Sequence, residues 1–315
     1  MKDTLYIIGN GFDIHHKIKS KYKHFKKYVK KKDITLFNLI NEYLSIEYDW
    51  ADFEKSLSTI DTDSLIDNAS NVLVSYTDDD WSDASHHDYQ YEIEQVVQQL
   101  SNILEKHFID WLLNISIPNR KKANQQLLKL DTNATYLNFN YTNTLQKIYK
   151  IKKSKILHIH GSLKNQNDIV LGHNWKPTNN KYLDTPYDQG DIDVRIMEGN
   201  EIIEQYFNST FKPTKQIIKQ NKKFFSKLKK IDRIYILGHS VSEVDFKYFQ
   251  AIMKKIDRKN VCWIISYFTQ EDKTRYKQQF ENLEIDNRNI KYIKLTKLMK
   301  KSTVKKSLTV QKEGK

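Results

Sequence analysis

Seven short runs in this chain, TLYIIG, TYLNFN, KILHIHG, DIVLGH, RIYILGH, VCWIISY and IKYIKL, are mostly apolar throughout, and none is longer than seven residues. A strand with one wet face alternates apolar and polar residues, whereas runs apolar on both faces belong to a parallel sheet covered by helices on both sides. The longer polar stretches between them have helical character, so the fold class is α/β, with a mainly parallel sheet. Between Leu36 and Asp131 no convincing strand occurs, while YEIEQVVQQLSNILEKHFIDWLL (Tyr91 to Leu113) repeats apolar residues at spacings of three and four. That pattern predicts a helical insertion after the first βα unit, at about 40–132, in which an acidic, loop-like stretch from Ser75 to Gln90 precedes the Tyr91 to Leu113 run. Asn174 to Phe211 carries Pro177, Pro186, Gly190 and Gly199, with Pro213 just beyond, and reads as a loop-rich excursion or lid within an insertion at about 174–232. The expected organisation is one domain over 1–300, interrupted twice, and a basic tail over 301–315. No internal repeat is present.

The chain has only eight glycines, and five of them (Gly9, Gly11, Gly161, Gly172 and Gly238) stand at the carboxyl ends of these runs. In an open α/β sheet, those ends form the ligand-binding crevice. A strand, then Gly9-Asn10-Gly11, then a lysine-rich helix would aim backbone N–H groups and a helix dipole at a phosphate. No third glycine completes G-x-G-x-x-G, and two glycines also fit an ordinary tight turn. Asn138 and Asn140 end the second run and Asn143 opens the next helix, where capping is the simplest role for such residues. In HIHGS, alternation places His158 and His160 on one face with His160 at the strand tip, a candidate general base. GHSVSEVD contributes His239, Ser240 and Asp245, with Ser240 or Ser242 suited to capping a helix. GHS lacks the G-x-S-x-G elbow, which argues against a serine hydrolase. HIH and HH lack a carboxylate at ligand spacing, so no metal site is expected.

At 37.6 kDa and 39% hydrophobic residues, the chain can bury a substantial core. No apolar run approaches a membrane span, and MKDTLYIIG reaches a glycine too soon for a signal peptide, so the expected compartment is the cytoplasm. The single cysteine, Cys262, lies in an apolar run and reads as a core residue rather than a nucleophile or metal ligand. The net charge of +13 favours polyanions. Lys17 to Lys32 has nine lysines and no acid, and Lys291 to Lys315 is almost equally one-signed. Tyr22, Phe25 and Val29 recur at helical spacing, so the first run reads as an amphipathic helix with its lysines in water, in preference to a nucleic-acid site.

Taken in order and spacing, LYIIGNGFDIHHKIKSKYKHF, WADFE, NFNYTNTLQKIY, HIHG, VLGH and ILGHSVSEVDFKYF resemble the AbiH family of bacterial phage abortive-infection proteins, over nearly the whole chain. That family in turn resembles a distant branch of the sirtuin-like Rossmann fold, whose members deacylate proteins with NAD or, in antiphage systems, hydrolyse NAD. The sirtuin-like GAG loop resembles Gly9-Asn10-Gly11, the asparagine of NxD resembles Asn140, the catalytic HG resembles His160-Gly161, and the GTS loop resembles Gly238-His239-Ser240. Thr142 stands where the aspartate of NxD would be, and one cysteine cannot build the four-cysteine zinc module of sirtuins, which disfavours deacylation.

The resemblance implies an NAD glycohydrolase with Asn140 and His160 catalytic and with Gly9, Asn10, Gly11, Asp13, Gly238, His239, Ser240 and Asp245 binding the nucleotide. Glu54 would close the site. NAD is then the substrate, with no retained cofactor. Candidate partners are NAD or a related nucleotide, a phage-derived activator, a second copy of the chain and nucleic acid on the basic surface, with no membrane. Two other classes stay open: a nuclease or nucleic-acid-binding effector, suggested by the charge, and a non-catalytic nucleotide-sensing module, suggested by Thr142.

Overall fold

In a computed structural model the chain is described over residues 3–79, 81–163, 168–175 and 193–300. Six strands, β1 (Asp3–Ile8), β2 (Thr135–Asn138), β3 (Ile156–His158), β4 (Ile231–Leu237), β5 (Cys262–Tyr267) and β6 (Ile290–Lys294), form one sheet in the order β3-β2-β1-β4-β5-β6. Every pairing is parallel. This is the dinucleotide-binding order, and the crossover from β3 to β4 places a topological switch point between the ends of β1 and β4. In register across the central strands, Tyr6 stacks between Tyr136 and Tyr235 at centroid distances of 4.9 and 4.8 Å. Cys262 is partly buried at the start of β5, away from the strand ends that matter below.

Six of the seven apolar runs are strands, and DIVLGH is the exception. Only nine residues separate His158 from Asp168, too few for the crossover that a further parallel strand would need. Instead Val170 N donates to His160 O (3.0 Å), and His173 makes an isolated parallel bridge to Phe211.

Three apolar clusters hold the molecule together. Leu5, Ile7, Ile234, Ile236, Trp263 and Ile265 pack one sheet face against helices Phe246–Met253 and Gln270–Glu281. Tyr6, Ile8, Tyr136 and Leu237 pack the other against Thr144–Tyr149. The third cluster belongs to the insertion, where Phe25, Trp50, Phe53, Phe108 and Trp111 are joined by Tyr206 and Phe207. The long helical pattern of Tyr91 to Leu113 is an α-helix, Asp88–Gln98, continued through a π-turn at Gln99–Ile103 into Leu104–Leu113.

Two expectations need correction here. The helix that follows Gly9-Asn10-Gly11 is the six-residue Asn10–His15, while the lysine-rich helix is a separate element, Tyr22–Lys32, with Phe25 and Val29 buried and Lys23, Lys27, Lys30, Lys31 and Lys32 exposed. The segment expected to be loop-rich contains the sixteen-residue helix Val194–Ser209, capped by Asp193, followed by Thr214–Gln220 and Lys222–Ser226. Gly199 misled that reading because it is a helix-contact glycine: a Cβ there would lie 2.5 Å from Tyr89 Cε1 and 2.8 Å from Ile93 Cδ1. Pro177, Pro186 and Gly190, like the tail over 301–315, lie outside the described residues. Among the described residues no helix is long and apolar enough to cross a membrane.

Glycine in the middle of a helix ordinarily costs about 1 kcal/mol relative to alanine. At position 199 the sign should reverse, because the added methyl meets a buried ring. Gly199→Ala should lower stability by about 1–3 kcal/mol in urea unfolding, and an increase would mean that the two helices are not held at this separation.

Candidate active site

The ends of β1, β2, β3 and β4 surround one cavity of about 590 Å³, closed on its far side by the helical insertion. All ten residues singled out from the sequence line it: Gly9, Asn10, Gly11, Asp13, Asn140, His160, Gly238, His239, Ser240 and Asp245. Glu54 joins them from the short helix Phe53–Ser56, carried in by the buried Trp50 and Phe53.

The glycines are explained first by backbone packing. A Cβ on Gly9 would stand 2.4 Å from His239 Cα, and one on Gly11 would stand 2.8 Å from Gly238 Cα. Gly238 itself has φ +66, a conformation that favours glycine, and its Cα faces Gly11. The loops after β1 and β4 therefore cross in direct contact, tied by Gly9 N to Leu237 O (3.1 Å) and Gly11 N to Gly238 O (2.7 Å). Phe12 N donates to Gly9 O (2.9 Å). The N–H groups of Gly9, Gly11 and Phe12, expected to meet a phosphate, are thus already engaged within the protein.

Asn140 serves the same junction, its Nδ2 donating to Gly9 O at 3.0 Å while its backbone N–H donates to Asn138 Oδ1 at 3.2 Å. Asn10 is occupied beside it, exchanging hydrogen bonds with Ser20 through Nδ2 (2.9 Å) and Oδ1 (2.5 Å). Thr142, the departure from the sirtuin-like pattern, donates to Asp13 Oδ2 at 2.6 Å. A carboxyl group therefore stands beside position 142 after all, brought from the helix that follows β1. Burial pushes the Asp13 carboxyl up to about 6, against the Thr142 hydrogen bond, and its Oδ1 has no partner.

The two histidines of HIHG do not share a face. β3 ends at His158, whose Nδ1 meets Asn140 O (3.0 Å) and whose Nε2 meets Gln146 Nε2 (2.8 Å). A turn closed by Gly161 N to His158 O (3.3 Å), with Gly161 at φ +83, then swings His160 into the cavity wall. There it is only 3% exposed, packed against Phe139, Tyr141 and Tyr248. Burial, aided by the charge of Lys212, holds its pKa below the ordinary imidazole value, so His160 is neutral at neutral pH. Its Nε2 lies 3.3 Å from Asp245 Oδ1, at ion-pair distance but off the line of a hydrogen bond.

Asp245 is the centre of the charge network. Val241 N donates to His239 Nδ1 (2.8 Å), which fixes the His239 proton on Nε2, 3.5 Å from Asp245 Oδ2. Lys212 Nζ lies 3.4 Å from Asp245 Oδ1 and 2.5 Å from Glu54 Oε2, while Tyr22 OH donates to Glu54 Oε1. Burial alone would raise the Asp245 carboxyl, but the charge of Lys212 holds it well below the usual carboxylate range. Burial likewise disfavours the Lys212 cation, and Asp245 and Glu54 overcome this.

Lys212, at 0% exposure, is the residue that sequence reading missed. Its only signal lay in VLGH: His173 bridges Phe211, and Lys212 N donates to His173 O at 2.8 Å, which holds the lysine in place. Residues 5–267 match the family model described as Bacteriophage abortive infection AbiH. The chain belongs to the AbiH family. Membership places it among proteins of abortive-infection defence against bacteriophage. No curated protein and no solved structure matches it.

Two outcomes test this AbiH site. Lys212→Met should cost about 3–5 kcal/mol, because the buried Asp245 and the half-buried Glu54 lose their cation. Part of that loss should return in Lys212→Met combined with Glu54→Gln, and strictly additive losses in urea unfolding would refute the network. For Asp13 the native pKa lies above the unfolded one. Its stabilising contribution is therefore complete below about pH 4 and lost as pH rises through about 6. Relative to wild type, Asp13→Asn should gain about 3 kcal/mol between pH 4 and pH 7. A difference that stays flat across this range in pH-resolved melts would show that Asp13 is not buried as described.

Proposed function

We propose that this cavity hydrolyses the bond between nicotinamide and ribose in NAD, and that this is the effector activity of a cytoplasmic antiphage protein. The observation that carries the reading is a neutral, buried His160 beside an ionised Asp245 in a cavity at the switch point of a dinucleotide-binding sheet.

As the C–N bond breaks, nicotinamide leaves neutral and its positive charge passes to the ribose as an oxocarbenium-like centre. Asp13, Glu54 and Asp245 supply three carboxylates against the one buried Lys212, a wall whose charge complements that centre. Water then attacks the anomeric carbon and gives its proton to His160, and the resulting imidazolium is stabilised by Asp245 at 3.3 Å. The products are ADP-ribose, nicotinamide and a proton. Asn140 keeps the Gly9 loop in place under the ribose. The same acidic wall disfavours a nucleic-acid backbone in the cavity, while the lysine-rich helix Tyr22–Lys32 turns its lysines to the outside.

His160→Gln should lower the rate of NAD cleavage by about two to four orders of magnitude, the usual worth of a general base, with the fold retained. His158→Ala, outside the cavity, should act on stability. Because burial lowers the His160 pKa, the acid limb of the wild-type pH profile should fall below the ordinary histidine value. Full cleavage by His160→Gln would overturn the assignment, and NAD binding without cleavage by the wild type would favour the sensing module.

A further inference from the structure

The cavity that suits a cationic nicotinamide presents a problem for the rest of the same molecule, which carries a pyrophosphate. In the glycine loop, Gly9 N, Gly11 N and Phe12 N are bonded to carbonyls at 3.1, 2.7 and 2.9 Å and are not free to meet it. The wall on the insertion side is no better. Among the described residues it carries Asp52 and Glu54, and its cation, Lys55, lies 3.8 Å from Glu243 of the loop after β4.

Among the described residues, the part of the wall supplied by the helix Gln270–Glu281 carries no acid: it is Arg275 and Gln279. Arg275 and Gln279 are four residues apart on the helix Gln270–Glu281 and so share a face. That helix is fixed to the loop after β4 by Tyr276 OH, which donates to His239 O at 3.0 Å. The Gln279 carbonyl oxygen is buried without a partner. Arg275 is half-exposed, and one of its terminal nitrogens pairs with Asp272 at 2.7 Å. Asp272 is not part of the wall, and its other oxygen caps the helix through Thr269 N (3.0 Å) and Phe268 N (3.3 Å). An exposed pair of this kind is weak, and a guanidinium has five donors, so Arg275 can take a phosphate bidentately.

We propose that Arg275 is the phosphate-recognising residue of this cavity, and that it orients a nucleoside diphosphate with its cationic base inward and its phosphates at the helix after β5. The orientation rests on the NAD reading above, whereas recognition of a diphosphate by Arg275 does not. Both Arg275 and Gln279 lie beyond residues 5–267, the part of the chain that matches the AbiH family.

The test uses the full chain with ADP-ribose, NAD and nicotinamide riboside, the last lacking any phosphate. Arg275→Ala should weaken ADP-ribose binding by about tenfold or more in calorimetry, as expected for loss of a charge-assisted contact. It should raise KM for NAD by a similar factor with kcat nearly unchanged, leave nicotinamide riboside unaffected, and be partly rescued by Arg275→Lys. Unchanged ADP-ribose affinity, equal losses for all three probes, or no ADP-ribose binding by the wild type would each overturn the proposal. If the wild type binds ADP-ribose through Arg275 but does not cleave NAD, the proposal stands and the glycohydrolase reading falls.

Discussion

The arrangement of the site depends on one buried cation. Lys212 lies between Glu54, which the helical insertion supplies, and Asp245, which the loop after β4 supplies. Asp245 could not remain ionised at its depth without a partner, because the desolvation of a lone buried charge costs several kcal/mol. With the lysine present, the insertion and the sheet are bound into one charged unit, and the insertion becomes a wall of the cavity. The lysine is itself held by the bridge between His173 and Phe211, so a short irregular segment after β3 controls the electrostatics of residues contributed by three other parts of the chain.

Val241 shows how closely the β4 loop is constrained. It is a β-branched residue at φ +54, a conformation such residues rarely adopt, and strain of this kind persists only where the surroundings over-determine it. Here its side chain is buried in the core beneath the sheet while its N–H fixes the His239 tautomer. The strained residue thus converts apolar packing on one side into a defined proton position on the other. A loop held this way changes little when a ligand arrives, which is what electrostatic stabilisation of a transient cation requires.

Much of this was legible in the sequence because strand ends leave a local signature. Apolar runs ending in glycine, asparagine or histidine located the crevice, and all ten residues that the resemblance then assigned to the site line one cavity, whereas Gly161, Gly172, Asn138 and His158 do not. What stayed hidden was set by contacts distant in sequence. Lys212 resembles any other lysine in a lysine-rich chain until the fold buries it. Gly199 looks like a loop residue until Tyr89 packs on it, and the split between His158 and His160 depends on a turn made possible by Gly161. The purpose of Gly9 and Gly11 was also only half visible. Their absence of side chains serves the contact with the β4 loop, and that same contact occupies the N–H groups of Gly9 and Gly11.

The distribution of charge completes the picture. The chain is strongly basic overall, yet its cavity wall is acidic, so the two regions act on a ligand at different distances. The exposed lysines of Tyr22–Lys32 create a field that draws anions toward the protein and weakens over about a Debye length, 8–10 Å at moderate salt. Inside the cavity that field is opposed by Asp13, Glu54 and Asp245 at short range and low dielectric, where each charge acts far more strongly than at the surface. A purely anionic ligand would be attracted to the protein and then repelled from its deepest part. A ligand with phosphates at one end and a cation at the other satisfies both regions at once, and only in one orientation.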